Sequence, residues 1–287
     1  MRTYKGYIMF SVAFGVIALF IFFPLGIGVK LSFTNKNLLF HTEEFVGLKN
    51  YIDLLHDKGF WVAFYHSGIL VAVVIVLEYI FGILLALALK QEIKGIHFFR
   101  SIVMVTWVIP IVATTIMWQF MSQPHYGFIN MILNAIGLHR FDTYFFGDMR
   151  FAFPMVVILH LWRNVPFFGI AFLAAMQGIP SELYEAARID GASKWQEFRY
   201  ITLPGIRYTA AIMITIHVIW TFNNFSMVYL STGGGPINAT DVLPTFLYRK
   251  VWSEFFLGYG SSVGVVMLGV LFAFFLLFNK FYAKGMR

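Results

Sequence analysis

Residues 178–207 read GIPSELYEAARIDGASKWQEFRYITLPGIR, a polar segment between two long apolar stretches. Pro180 and Ser181 are typical of a helix start, because proline fits the first turn and serine caps it. Gly191 is well placed to end the same helix, since glycine readily adopts the left-handed backbone that closes many helices. The first half of the segment therefore predicts a short helix with defined ends.

A second helix is predicted in the other half of this segment. Ser193 and Gln196 match the S-x-x-Q capping box, in which each side chain bonds the backbone of the other residue. Pro204 then predicts the end of the helix. We expect a folded helix–turn–helix, either as a surface for a partner protein or as an amphipathic hairpin that contacts only lipid.

The chain as a whole is far more apolar than a soluble domain. Of its 287 residues, 59% are hydrophobic and 12% are charged, against roughly 45–50% and 25% in soluble proteins. On so apolar a chain, the net charge of +7 suits anionic lipid headgroups better than nucleic acid. Cysteine is absent, which excludes disulfides and cysteine metal sites. The composition predicts an integral membrane protein surrounded by lipid.

The apolar stretches predict about six transmembrane helices. A bilayer core about 30 Å thick requires roughly 20 apolar helical residues. The first stretch is longer than the apolar region of a signal peptide, so we expect it to be retained. Stretches of the required length cover residues 8–29, 67–89, 101–121, 151–177, 208–230 and 260–279.

The basic residues between these spans predict the orientation of the chain. Twelve Lys and Arg residues lie on the side that holds both termini, and seven lie in the segments 34–60, 122–150 and 231–258 of the other side. Because basic segments are retained in the cytoplasm, both termini and the segment 178–207 are predicted to be cytoplasmic. The segments 34–60, 122–150 and 231–258 are predicted to lie outside.

The polar segment resembles the EAA loop of ATP-binding-cassette (ABC) importer permeases. The pattern EAA-x3-G-x9-I-x-L-P begins at Glu185 and ends at Pro204 without a departure. In that family the loop forms coupling helices that dock into a groove of the ATPase subunit, so the resemblance implies the same role here. The residues that it assigns to ATPase coupling are Glu185, Ala186, Ala187, Gly191, Leu203 and Pro204.

Five further segments resemble parts of the carbohydrate-uptake permeases related to maltose and glycerol-phosphate permeases. They are EFVGLKNY at 44–51, YGFIN at 126–130, LWRNVPF at 161–167, FNNF at 222–225 and STGGGP at 231–236. The resemblance implies an all-α type I ABC importer permease fold, with residues 1–287 as a single transmembrane domain and 178–207 as its cytoplasmic coupling-helix loop. It leaves a monosaccharide, an oligosaccharide, an acidic saccharide and glycerol phosphate as alternative substrates.

The same resemblance implies a multi-subunit importer in a bacterial or archaeal cell membrane. The implied partners are a second homologous permease, two ATPase subunits, an extracytoplasmic solute-binding protein and a sugar substrate. The sequence has no G-x-x-x-x-G-K-[ST] phosphate loop, so ATP and Mg are expected on the ATPase subunits. The chain itself is predicted to be no enzyme and to hold no cofactor or metal.

Amide and aromatic side chains in the fifth predicted span suit a sugar. Amides hydrogen-bond hydroxyl groups, and aromatic rings stack on the C–H faces of pyranoses. The resemblance implies that the FNNF segment lies near the transported sugar, which makes Asn223 and Asn224 the first contact candidates, with Trp220 and Phe222 beside them. The alternative is that these amides only join helices by hydrogen bonds.

Glu78, Arg163 and Asn164 are the remaining candidates for the pathway. Ionisable residues inside a span are costly and often functional. Glu78 is expected to line the pathway, to pair with Arg163 or to make a structural hydrogen bond. Arg163 and Asn164 precede Pro166, which predicts a local helix break that exposes them to a cavity.

Two other functional classes are alternatives. A polytopic membrane enzyme would use His160, His217 or Asp190, but the sequence shows no convergent set of acid, base and metal ligands around them. A secondary transporter would work without an ATPase, which leaves the polar segment unexplained. His160 and His217 are therefore expected to pack or hydrogen-bond between helices.

Overall fold

Each membrane span must satisfy its own backbone hydrogen bonds, because the bilayer core offers no water. The computed structural model describes residues 11, 14–40, 43–138 and 143–284. This described part is almost entirely helical and contains two isolated β-bridges. The prediction of an all-α protein is confirmed.

The helices follow one another through mostly short connections. In the described residues they are α1 (Phe14–Ser32), α2 (Lys49–His56), α3 (Lys58–Leu89), α4 (Ile96–Val108), α5 (Ile111–Met121), α6 (Phe128–Ala135), α7 (Ala152–Gln177), α8 (Ser181–Ile189), α9 (Lys194–Gly205), α10 (Arg207–Phe222), α11 (Phe225–Thr232), α12 (Leu243–Tyr248) and α13 (Leu257–Lys284). Turns of π-helix occur at Ala18–Phe22 in α1, at Phe198–Thr202 in α9 and at Arg249–Ser253 after α12.

The chain divides into two compact units. One holds residues 1–61 and 245–287, and the other holds residues 62–244. In the first unit, α1 and α2 pack against α13. In the second unit, α7 contacts α4, α10 and α11. The second unit is therefore built around α7.

Among the described residues, four helices are long and apolar enough to cross a membrane alone: α1, α3, α7 and α13. Two bent pairs add two crossings if each pair is one span: α4 meets α5 at 94°, and α9 meets α10 at 61°. The total then agrees with the predicted number of about six. The start of the first predicted span, at residue 8, lies outside the described residues.

Two of the predicted spans are interrupted. The span predicted at 101–121 breaks between α4 and α5, where Ile109 is extended with ψ 133°. The cause is Pro110, which has no N–H and disfavours a helical conformation in the residue before it. The span predicted at 208–230 breaks between α10 and α11, where the side chain of Asn224 caps the new helix.

Pro166 does not break its helix, contrary to the prediction. α7 continues from Ala152 to Gln177, and Pro166 is buried within it. Neighbouring helices make a proline tolerable in a membrane helix by enclosing the freed backbone group. Arg163 and Asn164 therefore lie on a continuous helix.

α3 and α7 approach closely within the second unit. A Cβ added at Gly82 of α3 would lie 2.5 Å from the Cβ of Phe168, and one added at Gly169 would lie 2.6 Å from a methyl group of Leu85. Small residues let membrane helices pack at short distance. Ile206, fully buried, joins the same apolar cluster. The cluster thus connects these two spans to the start of α10.

In the first unit, Asp57 joins the start of α3 to α13. Its Oδ1 accepts a hydrogen bond from the backbone N–H of Gly59 at 2.7 Å, and its Oδ2 accepts one from the hydroxyl of Tyr259 at 2.9 Å. Nζ of Lys250 lies 3.6 Å from the same carboxylate. Although partial burial acts in the opposite direction, these hydrogen bonds and the lysine hold the pKa of Asp57 below its usual value.

Candidate coupling and translocation sites

The first helix of the polar segment has the predicted ends. α8 begins at Ser181 after Pro180 and carries Glu182 in its first turn, where a carboxylate complements the helix dipole. Gly191 follows the helix with φ +80°. A Cβ at Gly191 would meet no other atom within 4 Å. The requirement for glycine is therefore one of backbone conformation and not of space.

The predicted capping box is confirmed at the start of α9. The hydroxyl of Ser193 accepts a hydrogen bond from the backbone N–H of Gln196 at 3.3 Å. The side chain of Gln196 accepts one from the backbone N–H of Ser193 at 2.7 Å. The two residues together fix where the second helix begins.

The prediction that Pro204 ends this helix is wrong. α9 passes through a π-helical turn at Phe198–Thr202 and continues to Gly205. A π-turn changes the spacing of the backbone hydrogen bonds, and Pro204 stands at the beginning of the turn that follows it, where no N–H is required. The chain then bends at Ile206 and enters α10 directly.

Glu197 is a residue of this segment that sequence reasoning missed. Its side chain is only 8% exposed, and its carboxylate lies 3.1 Å from Nε of Arg188 and 3.1 Å from Nζ of Lys194. Arg188 belongs to α8, whereas Glu197 belongs to α9. The carboxylate therefore fixes the two helices to each other. The sequence did contain one sign of this contact: Lys194 and Glu197 are three residues apart, a spacing at which opposite charges pair on a helix.

Tyr184 connects the segment to the body of the second unit. Its hydroxyl lies 3.0 Å from the hydroxyl of Thr202, which is in hydrogen-bond contact. Nζ of Lys90, directly after α3, lies 4.4 Å from the centre of its ring, a cation–π contact. A Cβ at Gly205 would lie 2.4 Å from the side chain of Ile179, just after α7. The segment is thus held at the ends of α3 and α7.

The segment also exposes large apolar side chains. Exposed apolar groups in one patch are typical of a protein–protein or membrane contact. Ile189 is 87% exposed and Tyr200 is 72% exposed. Glu185, Ala186 and Pro204 are also exposed, while Ala187 and Leu203 are half-buried. The predicted coupling residues therefore share a segment that offers both charge and apolar area.

A cavity of about 210 Å³ lies among the helices of the second unit. Four of the predicted pathway residues, Arg163, Asn164, Trp220 and Asn224, line it. Trp107, His217, Thr221 and Met227 complete the lining. The sequence analysis did not count these four as pathway residues, because all of them lie outside the FNNF and LWRNVPF segments and His217 was expected only to pack or hydrogen-bond between helices.

Asn223 and Phe222 do not line this cavity. The amide of Asn223 donates to the carbonyl of Ile219 at 2.9 Å and is exposed, and Phe222 is buried. Because the chain breaks between α10 and α11 at these positions, the side chains of the two asparagines point in different directions. Asn224 alone is directed into the cavity, although the two residues are equivalent in the sequence pattern.

Both ends of the Asn224 amide are bound. Its Oδ1 accepts a hydrogen bond from the backbone N–H of Met227 at 3.0 Å, which caps α11. Its Nδ2 lies 3.3 Å from Nε2 of His160. Nδ1 of His160 lies 2.9 Å from the carbonyl of Val156. His160 therefore carries its proton on Nδ1 and accepts from Asn224 at Nε2.

Glu78 pairs with His217 and not with Arg163. Oε2 of Glu78 lies 3.1 Å from Nδ1 of His217, and the side chains are 0% and 1% exposed. Arg163 instead donates from Nη1 to the carbonyl of Ile109. Nε2 of His217 and Oε1 of Glu78 are buried atoms without a protein partner in the described part of the chain. The unpaired Nε2 belongs to a residue that lines the cavity.

Comparison with known proteins identifies relatives over nearly the whole chain. The probable ABC transporter permease YurN of Bacillus subtilis is 33% identical over 279 residues, 96% of each chain. The diacetylchitobiose uptake permease DasB of Streptomyces coelicolor is 33% identical and covers 92% of this chain and 82% of its own. The trehalose/maltose permease MalF of Thermococcus litoralis is 31% identical and covers 96% and 92%.

The fold also matches a solved structure. The crystal structure of a bacterial ABC transporter that imports the acidic polysaccharide alginate has a chain that superposes with a TM-score of 0.87. That chain is 25% identical, and the match covers 99% of this chain and 96% of that one. A family model matches residues 78–287. The chain belongs to the family described as the binding-protein-dependent transport system inner membrane component, the membrane-spanning permeases of ABC importers.

Proposed function

We propose that this chain is one of two homologous permease subunits that together enclose the path of an imported sugar. Two ATPase subunits bind the polar segment 178–207, and a solute-binding protein delivers the sugar from outside. Residues 1–287 act as one transmembrane permease domain. ATP and Mg belong to the ATPase subunits, and this chain transmits motion without covalent chemistry.

The connection between α9 and α10 is the observation that supports this proposal most. α9 carries the end of the coupling pattern, and α10 carries His217 and Trp220 of the cavity. Only Ile206, which is fully buried, separates the two helices. A displacement of the polar segment by an ATPase is therefore passed directly to the wall of the cavity.

The coupling residues have distinct roles in this proposal. Glu185 supplies an exposed charge, and Ala186 and Ala187 let a partner backbone approach α8. Gly191 sets the angle between the two helices of the segment. Leu203 and Pro204 belong to the turn that leads to the bend. The residues proposed for ATPase coupling are therefore Glu185, Ala186, Ala187, Gly191, Leu203 and Pro204.

The cavity suits one part of a sugar. Trp107 and Trp220 provide aromatic surface, and Asn164, Thr221 and His217 provide hydrogen-bonding groups. The volume of about 210 Å³ is below the roughly 300–1,000 Å³ of complete small-molecule sites. The second permease would therefore supply the rest of the site. Arg163 and Asn224 also line the cavity, Glu78 holds His217 of its wall, and Asn223 and Phe222 lie between the lining residues Thr221 and Asn224 in the chain.

The names of the relatives support a carbohydrate as the substrate. DasB is named for diacetylchitobiose and MalF for trehalose and maltose. The chain of similar fold comes from an importer of alginate. These compounds share ring hydroxyls, and a polar cavity with two indole rings suits that common chemistry. We therefore propose an oligosaccharide as the cargo.

The first test is purification of the tagged permease, expressed with its neighbouring genes, followed by ATPase assays in liposomes. Gly191→Val and Glu185→Lys should abolish the ATPase stimulation that a loaded binding protein causes. Gly191→Asn is the matched control, because asparagine tolerates the left-handed conformation, and it should retain most of the stimulation. If no ATPase co-purifies and all three variants behave like the parent, the coupling assignment is wrong.

The cargo is tested separately by import into the same liposomes. Radiolabelled maltose, trehalose, diacetylchitobiose and an alginate oligosaccharide form the panel, with a labelled amino acid as the control. We expect ATP-dependent import of at least one saccharide when the solute-binding protein is present. Import of the amino acid alone would refute the carbohydrate proposal and leave the importer assignment intact.

A further inference from the structure

The third span changes direction abruptly inside the second unit. α4 ends at Val108, α5 begins at Ile111, and the two helices meet at 94°. Ile109 and Pro110 between them are both extended, with ψ 133° and 138°. Because Pro110 has no N–H and the chain leaves the helix, carbonyls at the end of α4 lose their helical partners. Such a break requires groups from another helix.

Arg163 of α7 supplies such a group. Its Nη1 donates a hydrogen bond to the carbonyl of Ile109, at the break itself. The guanidinium charge thus lies at the carbonyl end of α4, where the helix dipole is negative. The hydrogen bond is also charge-assisted, which makes it stronger than one between neutral groups.

A second contact lies four residues further along the same helix. The ring of Phe167 stacks on Trp107 of α4 with centres 5.0 Å apart and planes 12° apart. Residues at i and i+4 share one face of a helix. Arg163 and Phe167 therefore contact the broken span from one face of α7. Arg163 binds the carbonyl of Ile109, and Phe167 stacks on the ring of Trp107.

We infer that Arg163 is a positioning residue that keeps the third span broken and so keeps Trp107 in the wall of the cavity. Within the described part of the chain its one hydrogen-bond partner is a backbone carbonyl, whereas the carboxylate of Glu78 is engaged with His217. The positive charge of Arg163 is stabilised by the negative end of the α4 dipole, so its presence in the cavity wall does not imply an anionic cargo. This inference rests on the proposed function only in taking the cavity as part of the translocation path.

The absence of cysteine from the sequence permits a direct test. Thr115 lies in α5 just after the break and is 0% exposed, so Thr115→Cys places a thiol that the intact break protects. Ser262→Cys in α13 is the matched control, because Ser262 is also 0% exposed but belongs to the other unit. Both thiols are labelled with a charged methanethiosulfonate reagent in the purified complex, without sugar.

Arg163→Met removes the hydrogen-bond donor. Arg163→Lys is the matched variant, because lysine is nearly as long as methionine but retains a charged donor. We expect Arg163→Met to accelerate labelling at position 115 by roughly tenfold or more, the factor that follows from losing one charge-assisted hydrogen bond. Arg163→Lys should stay within about threefold of the parent, since one carbonyl requires only one donor. Labelling at position 262 should not change in either variant.

Equal protection of position 115 in Arg163→Met and the parent would overturn the inference. So would equal acceleration in the Lys and Met variants. Acceleration at both 115 and 262 would indicate general unfolding, and it would also count against a local role for Arg163. Failure of the parent complex to import any saccharide would refute the proposed cargo alone, because the labelling experiment contains no sugar.

Discussion

Nδ1 of His217 lies 3.1 Å from Oε2 of Glu78, and both side chains are almost completely buried. The two residues come from different helices and are separated by 139 positions in the sequence. A carboxylate without a partner in a membrane span is strongly unfavourable, so each residue makes the other tolerable. Three aromatic rings, those of Phe167, Phe168 and Trp220, surround the imidazole and restrict its rotation.

The Glu78 and His217 pair predicts unequal effects of two substitutions. Glu78→Leu removes the acceptor and leaves His217 with two unpaired nitrogens, at a cost of about 1–3 kcal/mol in stability. Glu78→Gln retains an amide oxygen at the same place and should cost much less. The measurement is the thermal unfolding midpoint of the purified complex, together with import.

The pair also has a matched reciprocal variant. His217→Phe keeps the aromatic contacts but leaves Glu78 alone, so it should resemble Glu78→Leu in stability. Combining Glu78→Leu with His217→Phe should recover part of the loss, because no buried charge then lacks a partner. Strictly additive losses in the double variant would contradict a direct interaction.

The two neighbouring asparagines predict different outcomes for the same substitution. Asn224→Ala removes the cap of α11 and the contact with His160, which should cost about 1 kcal/mol for the cap alone and reduce import. Asn223→Ala removes only an exposed hydrogen bond to Ile219 and should have little effect. Unfolding midpoints and initial import rates in proteoliposomes measure both. Equal effects of the two substitutions would show that the break between α10 and α11 does not orient them as described.

The contacts of Tyr184 lead us to expect that its substitution partly uncouples ATP hydrolysis from import. Tyr184→Phe loses the hydrogen bond with Thr202, worth about 1 kcal/mol, but keeps the ring below Lys90. Tyr184→Leu loses both contacts and should raise the ATP consumed per sugar imported more than Tyr184→Phe does. The ratio of ATP hydrolysis to import is the measurement. Release of the ATPase subunits from either variant would instead assign Tyr184 to docking.

Asp57 predicts a loss of stability in acid. Its pKa in the folded state is below the 3.8 of an unperturbed aspartate, so its carboxylate stabilises the fold at any pH above that unfolded value. The contribution is lost as the pH falls through the lower folded pKa. Asp57→Asn should lower the unfolding midpoint at pH 7 and flatten its dependence on pH below about 4. An undiminished loss of stability in acid in Asp57→Asn would contradict the prediction.

Local features of the fold were predictable from the sequence. The fourth span was predicted at 151–177 and is observed at Ala152–Gln177. The capping box of Ser193 and the left-handed Gly191 were also predicted, because each depends on residues within one or two helical turns. The side of the membrane on which the termini lie stays a prediction.

Features that depend on distant residues were not predictable. Pro110 and Pro166 both stand inside predicted spans, yet only Pro110 lies at a break. The difference arises because Arg163 and Phe167 satisfy and hold the broken end of α4, whereas α7 at Pro166 is enclosed by neighbours. Glu197 was missed for a similar reason, since its burial depends on how α8 folds back on α9. Of the alternatives for Glu78, a structural hydrogen bond is the one observed, and its partner His217 could not be named because it lies 139 positions away.

Because a single residue joins α9 to α10, an insertion at this point would change the orientation of α10 relative to the polar segment. Each residue added to a helix rotates everything beyond it by about 100°. One extra residue at Ile206 would therefore turn His217 and Trp220 away from the cavity while leaving the polar segment intact. We therefore expect the spacing between Gly191 and Trp220 to be held constant wherever this permease retains its activity.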